Sequence, residues 1–192
     1  SLNDSELDRL NTNSLLTIGD TNTDDVQIWS SINPNNAANT TLISGDQIEG
    51  NSSGSTLQAG GILTLDAENG ILGLSGTGNQ SLAIDAETLA ARSRSDASVK
   101  ITEANNVTIA SSNGATSAFN GIEGGNVDFE ATNTITISVG IATNGDLLLS
   151  AGDDIAGGTN DIDAEGSVTI TGDNITIGSI TSEGGVNVTA TG

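Results

Sequence analysis

The 192-residue sequence contains no cysteine, no histidine, no methionine and no tyrosine, and it has only one proline, one tryptophan and two phenylalanines. Each gap excludes something. Without Cys there is neither a disulfide framework nor a thiolate metal site, and without His, zinc chemistry and imidazole catalysis lose their usual participants. With Trp29, Phe119 and Phe129 as the only aromatics, the core has to be built from Leu, Ile, Val and Ala. Such a core is thin. It suits a narrow interior repeated along an axis better than a compact globule, whose centre larger side chains would fill. No run of 18 apolar residues and no basic-then-apolar leader is present, so nothing in this segment is expected to enter a membrane or to direct secretion.

Positive charge is also scarce. Arg9, Arg92, Arg94 and Lys100 stand against 25 acidic residues, for a formal charge of −21. A phosphate backbone requires a basic face, so nucleic acid is excluded as a partner. An acidic surface rich in Thr, Ser and Asn fits a secreted or cell-surface protein, where divalent cations offset self-repulsion.

What is present is a repeat. Gly61-Ile62-Leu63-Thr64-Leu65-Asp66-Ala67, Asn126-Val127-Asp128-Phe129-Glu130-Ala131 and Asp146-Leu147-Leu148-Leu149-Ser150-Ala151 share one pattern, apolar and polar residues in alternation. Period two denotes strands with one buried face. Leading apolar positions fall at Leu63, Leu82, Val99, Val127, Leu147, Val168 and Val186, about 20 residues apart apart from one long interval before Val127. A second apolar station follows at Ile71, Ala90, Val107, Ile135, Ile155 and Ile175, and a third at Leu57, Ile122, Ile141, Ile162 and Ile180. Polar turns such as Glu68-Asn69-Gly70 and Gly152-Asp153-Asp154 separate them.

Three short strands per coil of about 20 residues define an all-β, single-stranded parallel β-helix, a β-solenoid. The leading residues would form one internal ladder, with Leu65, Ile84, Ile101, Phe129, Leu149, Ile170 and Val188 beside it. Thr64, Lys100, Asp128, Leu148, Thr169 and Asn187 would face solvent. Residues 41–192 are expected to be regular, with a loop inserted at about 110–121 that explains the long interval and a shorter excursion at 49–56. Residues 1–40 match poorly and are read as irregular N-terminal coils or loop. A pair of Ig-like sandwiches is the competing architecture, but sandwich strands have no reason to recur in one register.

The stretch from Gly145-Asp146-Leu147-Leu148-Leu149-Ser150-Ala151-Gly152-Asp153-Asp154-Ile155 through Ala164-Glu165-Gly166-Ser167-Val168-Thr169-Ile170-Thr171-Gly172-Asp173-Asn174-Ile175 resembles the filamentous-haemagglutinin-type repeats of large bacterial surface adhesins. The likeness extends over residues 57–192. It implies right-handed coiling, secretion, a fibrous shape and an adhesive or scaffolding role, with this chain an internal piece.

Acidic clusters Asp20/Asp24/Asp25, Asp153/Asp154 and Asp161/Asp163 are the candidate metal ligands, because Ca²⁺ takes six to eight oxygens from carboxylates, carbonyls and water. The same residues suit solvated turns, and neither an EF-hand loop nor a Gly-Gly-x-Gly-x-Asp nonapeptide is present. No cofactor is required, and Ca²⁺ is the one candidate ion. Arg92, Arg94 and Lys100 would supply a base for a polysaccharide lyase-like alternative. Read plainly, they are surface charges balanced by Asp85, Glu87, Asp96 and Glu103. Thr134/Thr136 and Thr169/Thr171 would suit an ice-binding face, but β-propensity explains them equally.

The expectation is therefore a non-catalytic shaft segment of an extracellular or cell-surface fibre. Its partners would be further repeats or other copies placed end to end, together with cell-surface or matrix glycans or proteins. Neither nucleic acid nor membrane insertion is expected.

Overall fold

The computed structural model describes residues 4–7, 9, 14–34, 36–52, 54–73 and 80–192. Alternating apolar residues make short strands, polar and Gly-containing turns make the corners, and each strand pairs in parallel with its equivalents in neighbouring coils. The result is a β-solenoid of about eight turns with roughly 22 residues per coil. Every pairing between named strands is parallel, which excludes antiparallel Ig-type sandwiches.

One face carries β2 (Val26–Ile28), β4 (Ile48–Gly50), β6 (Ile71–Leu72), β8 (Val99–Glu103), β11 (Val127–Ala131), β14 (Leu147–Ala151), β17 (Val168–Gly172) and β20 (Val186–Ala190). A second carries β9 (Val107–Ile109), β12 (Ile135–Ile137), β15 (Ile155–Ala156) and β18 (Ile175–Thr176). The third is formed by β1 (Leu15–Ile18), β3 (Asn39–Ser44), β5 (Leu57–Ala67), β7 (Leu82–Ser93), β10 (Ile122–Gly124), β13 (Ile141–Thr143), β16 (Asp161–Ala164) and β19 (Ser179–Ser182). Strands β5 and β7 are long, with 11 and 12 residues, and turn a corner to serve two faces. A helical turn, α1 (Asp4–Leu7), places Leu7 with Leu16 and Ala37 beside the first coil.

Inside, aliphatic ladders run along the stack, two of them from the first coils to the last. The first is Val26, Ile48, Ile71, Val99, Val127, Leu147, Val168 and Val186. Beside it stand Ile101, Phe129, Leu149, Ile170 and Val188. Val107, Ile135, Ile155 and Ile175 line the second face. The third holds Ile18, Leu42, Leu65, Ala91, Ile122, Ile141, Ile162 and Ile180. From Ile48 to Val168 the first ladder is buried, and each such side chain contributes about 1.5–3 kcal/mol relative to exposure.

These registers correct part of the expected pattern. From Val99 onward the leading ladder runs as expected, but Leu63 and Leu82 do not belong to it. Leu63 stacks on Leu89 in the third face, and Leu82 pairs with Ile101. Ile71 takes the place assigned to Leu82, directly below Val99. Leu57 pairs with Ile84 and bridges to Ile32 instead of joining the Ile122 ladder, and Ala90 sits opposite Thr64, outside the Val107 ladder. The physical reason is that a strand interrupted by an excursion looks, in sequence, like two. Ile71 of β6 and Leu82 of β7 pair with Val99 and Ile101, two residues apart in β8, although ten residues separate Leu72 from Leu82 in the chain, of which 74–79 lie outside the described residues.

In the first 40 residues, β1 and β2 stack in register on β3 and β4, so they are coils of the same solenoid. Residues 1–3, 8, 10–13 and 35 of that segment lie outside the described residues.

Candidate functional site

The densest polar chemistry lies where residues 110–121 leave the coil between β9 and β10. The ends of this excursion are drawn together by an antiparallel bridge between Ser111 and Asn120, with Ser111 Oγ donating to Asn120 Oδ1 at 2.7 Å. Gly121 returns the chain to β10 at φ +73°, where a Cβ would lie 2.0 Å from the Gly140 carbonyl oxygen, so only glycine serves there. The segment between, built from Ser, Asn, Gly, Ala and Thr around one Phe, lies flat as a strap. It crosses the outer surface of the third face toward the N-terminal coils.

Its contacts reach four coils. Gly114, at φ +77°, sits against the Leu15 side chain of β1. The Asn113 carbonyl accepts from Thr41 Oγ1 of β3, and the Asn113 N–H donates to Thr64 Oγ1 of β5 at 2.9 Å. Thr116 donates twice to Asp66 Oδ2, from its N–H at 2.9 Å and its hydroxyl at 2.7 Å. The Arg92 guanidinium of β7 lies 4.5 Å from the centre of the Phe119 ring and donates to Ser117 Oγ at 3.1 Å. Thr64, expected in solvent, is therefore fully buried, as are Thr41 and Asp66.

Asp66 is the hub. Arg92 donates to both of its carboxylate oxygens at 3.1 Å, and Arg94 Nη1 donates to Oδ1 at 2.7 Å. Arg94 also reaches Glu68 Oε2 at 2.8 Å and the Ser44 carbonyl at 2.6 Å. Burial pushes the Asp66 carboxyl upward, but the hydrogen bonds from Thr116 and Arg94 and the charge of Arg92 outweigh it and hold the group below the usual carboxylate range. Burial likewise opposes the charge on Arg94, and its bonds to Glu68 and Asp66 win, raising its pKa. The two arginines thus pair with Asp66 and Glu68, one coil away, and not with the sequence neighbours Asp85, Glu87, Asp96 and Glu103. Two guanidiniums and two carboxylates make a neutral, hydrogen-bonded cluster.

Glu103 is a second buried acid. Its side chain occupies the rung that Ala131 and Ala151 fill in the next coils, and it is fully buried. Its carboxylate accepts the Ala86 N–H at 3.0 Å and the Asn105 N–H at 3.0 Å, supplying acceptors where β8 parts from β7. Desolvation dominates over those two bonds, and the charge of Asp85 adds to it, so the carboxyl is pushed up to about 7.

Among the calcium candidates, Asp20 closes its own turn, accepting from the Asn22 N–H at 2.7 Å and from Thr23 Oγ1 at 3.2 Å. The Asn22 N–H bond leads the causes that lower its pKa. Asp25 accepts from the Gln47 N–H at 3.3 Å and Asp154 from the Asn174 N–H at 3.1 Å. Asp161 accepts from Ser179 Oγ at 2.7 Å, while Asp24 lends its carbonyl to Ser44 Oγ at 2.6 Å. Asp153 lends its backbone carbonyl to the Asp173 N–H, and Asp163 stands beside Ala142 and Thr181 in the ladder. Several of these carboxylates are therefore corner acceptors that tie one coil to the next, as Asn126 does for Asp146 and Asp146 for Ser167. No group of three or more acidic side chains positioned around a common point is found among the described residues.

The outer side of the first face forms a shallow, open groove of about 760 Å³. Lys100, Asn126, Asp128, Asp146, Leu148 and Thr169 line it, and Asp128 Oδ1 is covered there without a hydrogen-bond partner. Arg92 and Arg94 are absent from this groove, so the three cations considered together in sequence are split between two faces. The Thr pairs are also split. Thr169 has Leu148 and Asn187 as rung neighbours, so no Thr array forms on that face.

Sequence reasoning missed Asp66, Glu68, Thr116 and the burial of Glu103. One usable signal was Phe119, an aromatic anchor inside an otherwise small-residue insertion. No protein-family model matches the chain, and neither the curated proteins nor the solved structures contain a match.

Proposed function

We propose that the chain is a structural, non-catalytic β-helical shaft segment of a secreted or cell-surface fibre or adhesin, serving adhesion or extracellular scaffolding. The observation that carries this reading is the continuous in-register stacking of its aliphatic ladders, which makes the chain a stiff rod with a dry interior. The likeness to filamentous-haemagglutinin-type repeats supports it, as does the acidic, Thr- and Asn-rich surface. Partners under this reading are further repeats or other copies joined end to end, and cell-surface or matrix glycans or proteins. Repulsion from phosphate at a charge of −21 argues against nucleic acid.

Electron micrographs and surface labelling of the native material test the reading. Long, thin fibres outside the cell are expected, and compact intracellular particles would overturn it. A second reading, polysaccharide binding or lyase-like chemistry, draws on the open groove around Lys100 and Asp128. Incubation with a panel of polysaccharides, followed by assay for unsaturated products, separates the two: product formation would favour the enzyme. Calcium at the acidic clusters is tested by chelation followed by thermal melting: a lowered transition would support a bound ion, and an unchanged one would remove calcium from the account.

A further inference from the structure

Solenoids ordinarily behave as one-dimensional stacks, in which each coil touches only its neighbours and the terminal coils open first. The strap breaks that rule in this chain. Its residues 111–120 belong to the coil that follows β9, yet they bond directly to β3, β5 and β7 and pack on β1. Sequence separations of 72 residues for the Thr41 contact and 50 for the Asp66 contacts mean that these bonds skip intervening coils. They also bury what would otherwise be outer surface, including Asp66, whose carboxylate satisfies Thr116, Arg92 and Arg94 together.

We propose that the strap is a lateral staple that makes the coils from β1 to β10 one cooperative block, while the coils from β11 to β20 remain an ordinary nearest-neighbour stack. Opening the first coil alone would strip Leu15 from Gly114. Opening the second would free the Thr41 bond, and opening the third would leave two guanidiniums without their carboxylate. Each local opening therefore carries the cost of disturbing the strap, and the strap cannot lift without exposing all of them. Its two ends are held together by the Ser111–Asn120 bridge, so the device acts as a closed flap and does not depend on the coil's own turns. The staple goes beyond the shaft reading and stands whether or not the rod belongs to a fibre.

Native-state hydrogen exchange on the full chain tests it, with two variants. In the first, residues 112–119 are replaced by Asn-Gly, a two-residue turn that the adjacent Ser111 and Asn120 accommodate. In the second, Thr116→Val removes the hydroxyl's two bonds, the one donated to Asp66 and the one accepted from Arg92 at 3.1 Å, and leaves the Thr116 N–H bond in place. In the unaltered chain, amides of β1, β3, β5 and β7 are expected to share one opening equilibrium. In the strap replacement, protection of β1 and β3 should fall at least tenfold and become graded from β1 inward, with β14 and β17 unchanged. Thr116→Val should move the same amides in the same direction by several-fold. Graded protection of β1 to β7 in the unaltered chain, or unchanged protection of β1 and β3 in Thr116→Val, would overturn the staple.

Discussion

The two halves of this rod solve the same problem differently. From β11 to β20 the coils are short and uniform, held by interior aliphatic rungs and by Asn and Asp side chains at the corners that accept from the next coil. No Lys or Arg follows Lys100. From β1 to β10 the coils carry excursions, two strands run around corners, and Arg92 and Arg94 make their ion pairs with Asp66 and Glu68 here, beside the strap. A regular coil needs nothing outside its own repeat. The irregular coils keep corner bonds of the same kind, such as Gln47 to Asp25 and Asn69 to Asp46, and add to them a tertiary element built from another coil.

The largest effect is expected where that tertiary element is anchored. Asp66→Ala leaves Arg92 and Arg94 partly buried without their shared carboxylate, and loss of one partner from a buried pair costs about 3–5 kcal/mol. Urea unfolding should show this loss, and a cost below 1 kcal/mol would mean that the N-terminal half does not depend on the hub. In the regular half the corresponding lever is a rung. Leu149→Ala removes a fully buried side chain between Phe129 and Ile170, at about 2–5 kcal/mol, and should leave the exchange of β1 and β3 unaffected.

Acid distinguishes two groups on the N-terminal side. Glu103 has its folded pKa raised from 4.5 to about 7, so its protonated form contributes stability that is fully present below 4.5 and lost as pH rises through about 7. Asp66 has the opposite sign: its contribution is present above 3.8 and is lost as pH falls through its lowered folded value. Thermal melting should therefore peak in mildly acidic buffer. Glu103→Gln should flatten the decline between pH 4.5 and about 7, and an unchanged decline would assign it to other groups. The smallest effect is expected at a corner. Asp154→Ala removes one exposed carboxylate that accepts twice from Asn174, worth about 0.5–1.5 kcal/mol by melting.

The same contrast sets how much was legible in advance. The ladder from Val99 through Val186 could be read from spacing alone, because each coil repeats the last with no insertion inside a strand. Leu63 and Leu82 were misplaced because excursions shift the count without disturbing the local alternation of apolar and polar residues. Thr64 and Asp66 look like solvent-facing residues by period two, and only a distant segment folding back could bury them. The insertion at 110–121 was visible as excess length, whereas its landing place, set by bonds 50 residues away, left no local trace. Of the acidic residues considered as calcium ligands, Asp20, Asp24, Asp25, Asp153 and Asp154 lie in turns while Asp161 and Asp163 lie in β16, and carboxylates that bind an ion and carboxylates that bind the next coil's amide leave the same pattern in sequence.

Eight rungs of one ladder, from Val26 to Val186, rise in parallel register along a single axis. Because the chain has no native cysteine, spin labels can be placed on outward-facing neighbours of the rungs, Gln27→Cys, Asp128→Cys and Asn187→Cys. With about 4.8 Å per rung, pulsed electron resonance should give a backbone separation of about 34 Å for the Gln27–Asn187 pair and about 14 Å for the Asp128–Asn187 pair. A Gln27–Asn187 distance no longer than the Asp128–Asn187 distance would contradict the solenoid and everything built on it.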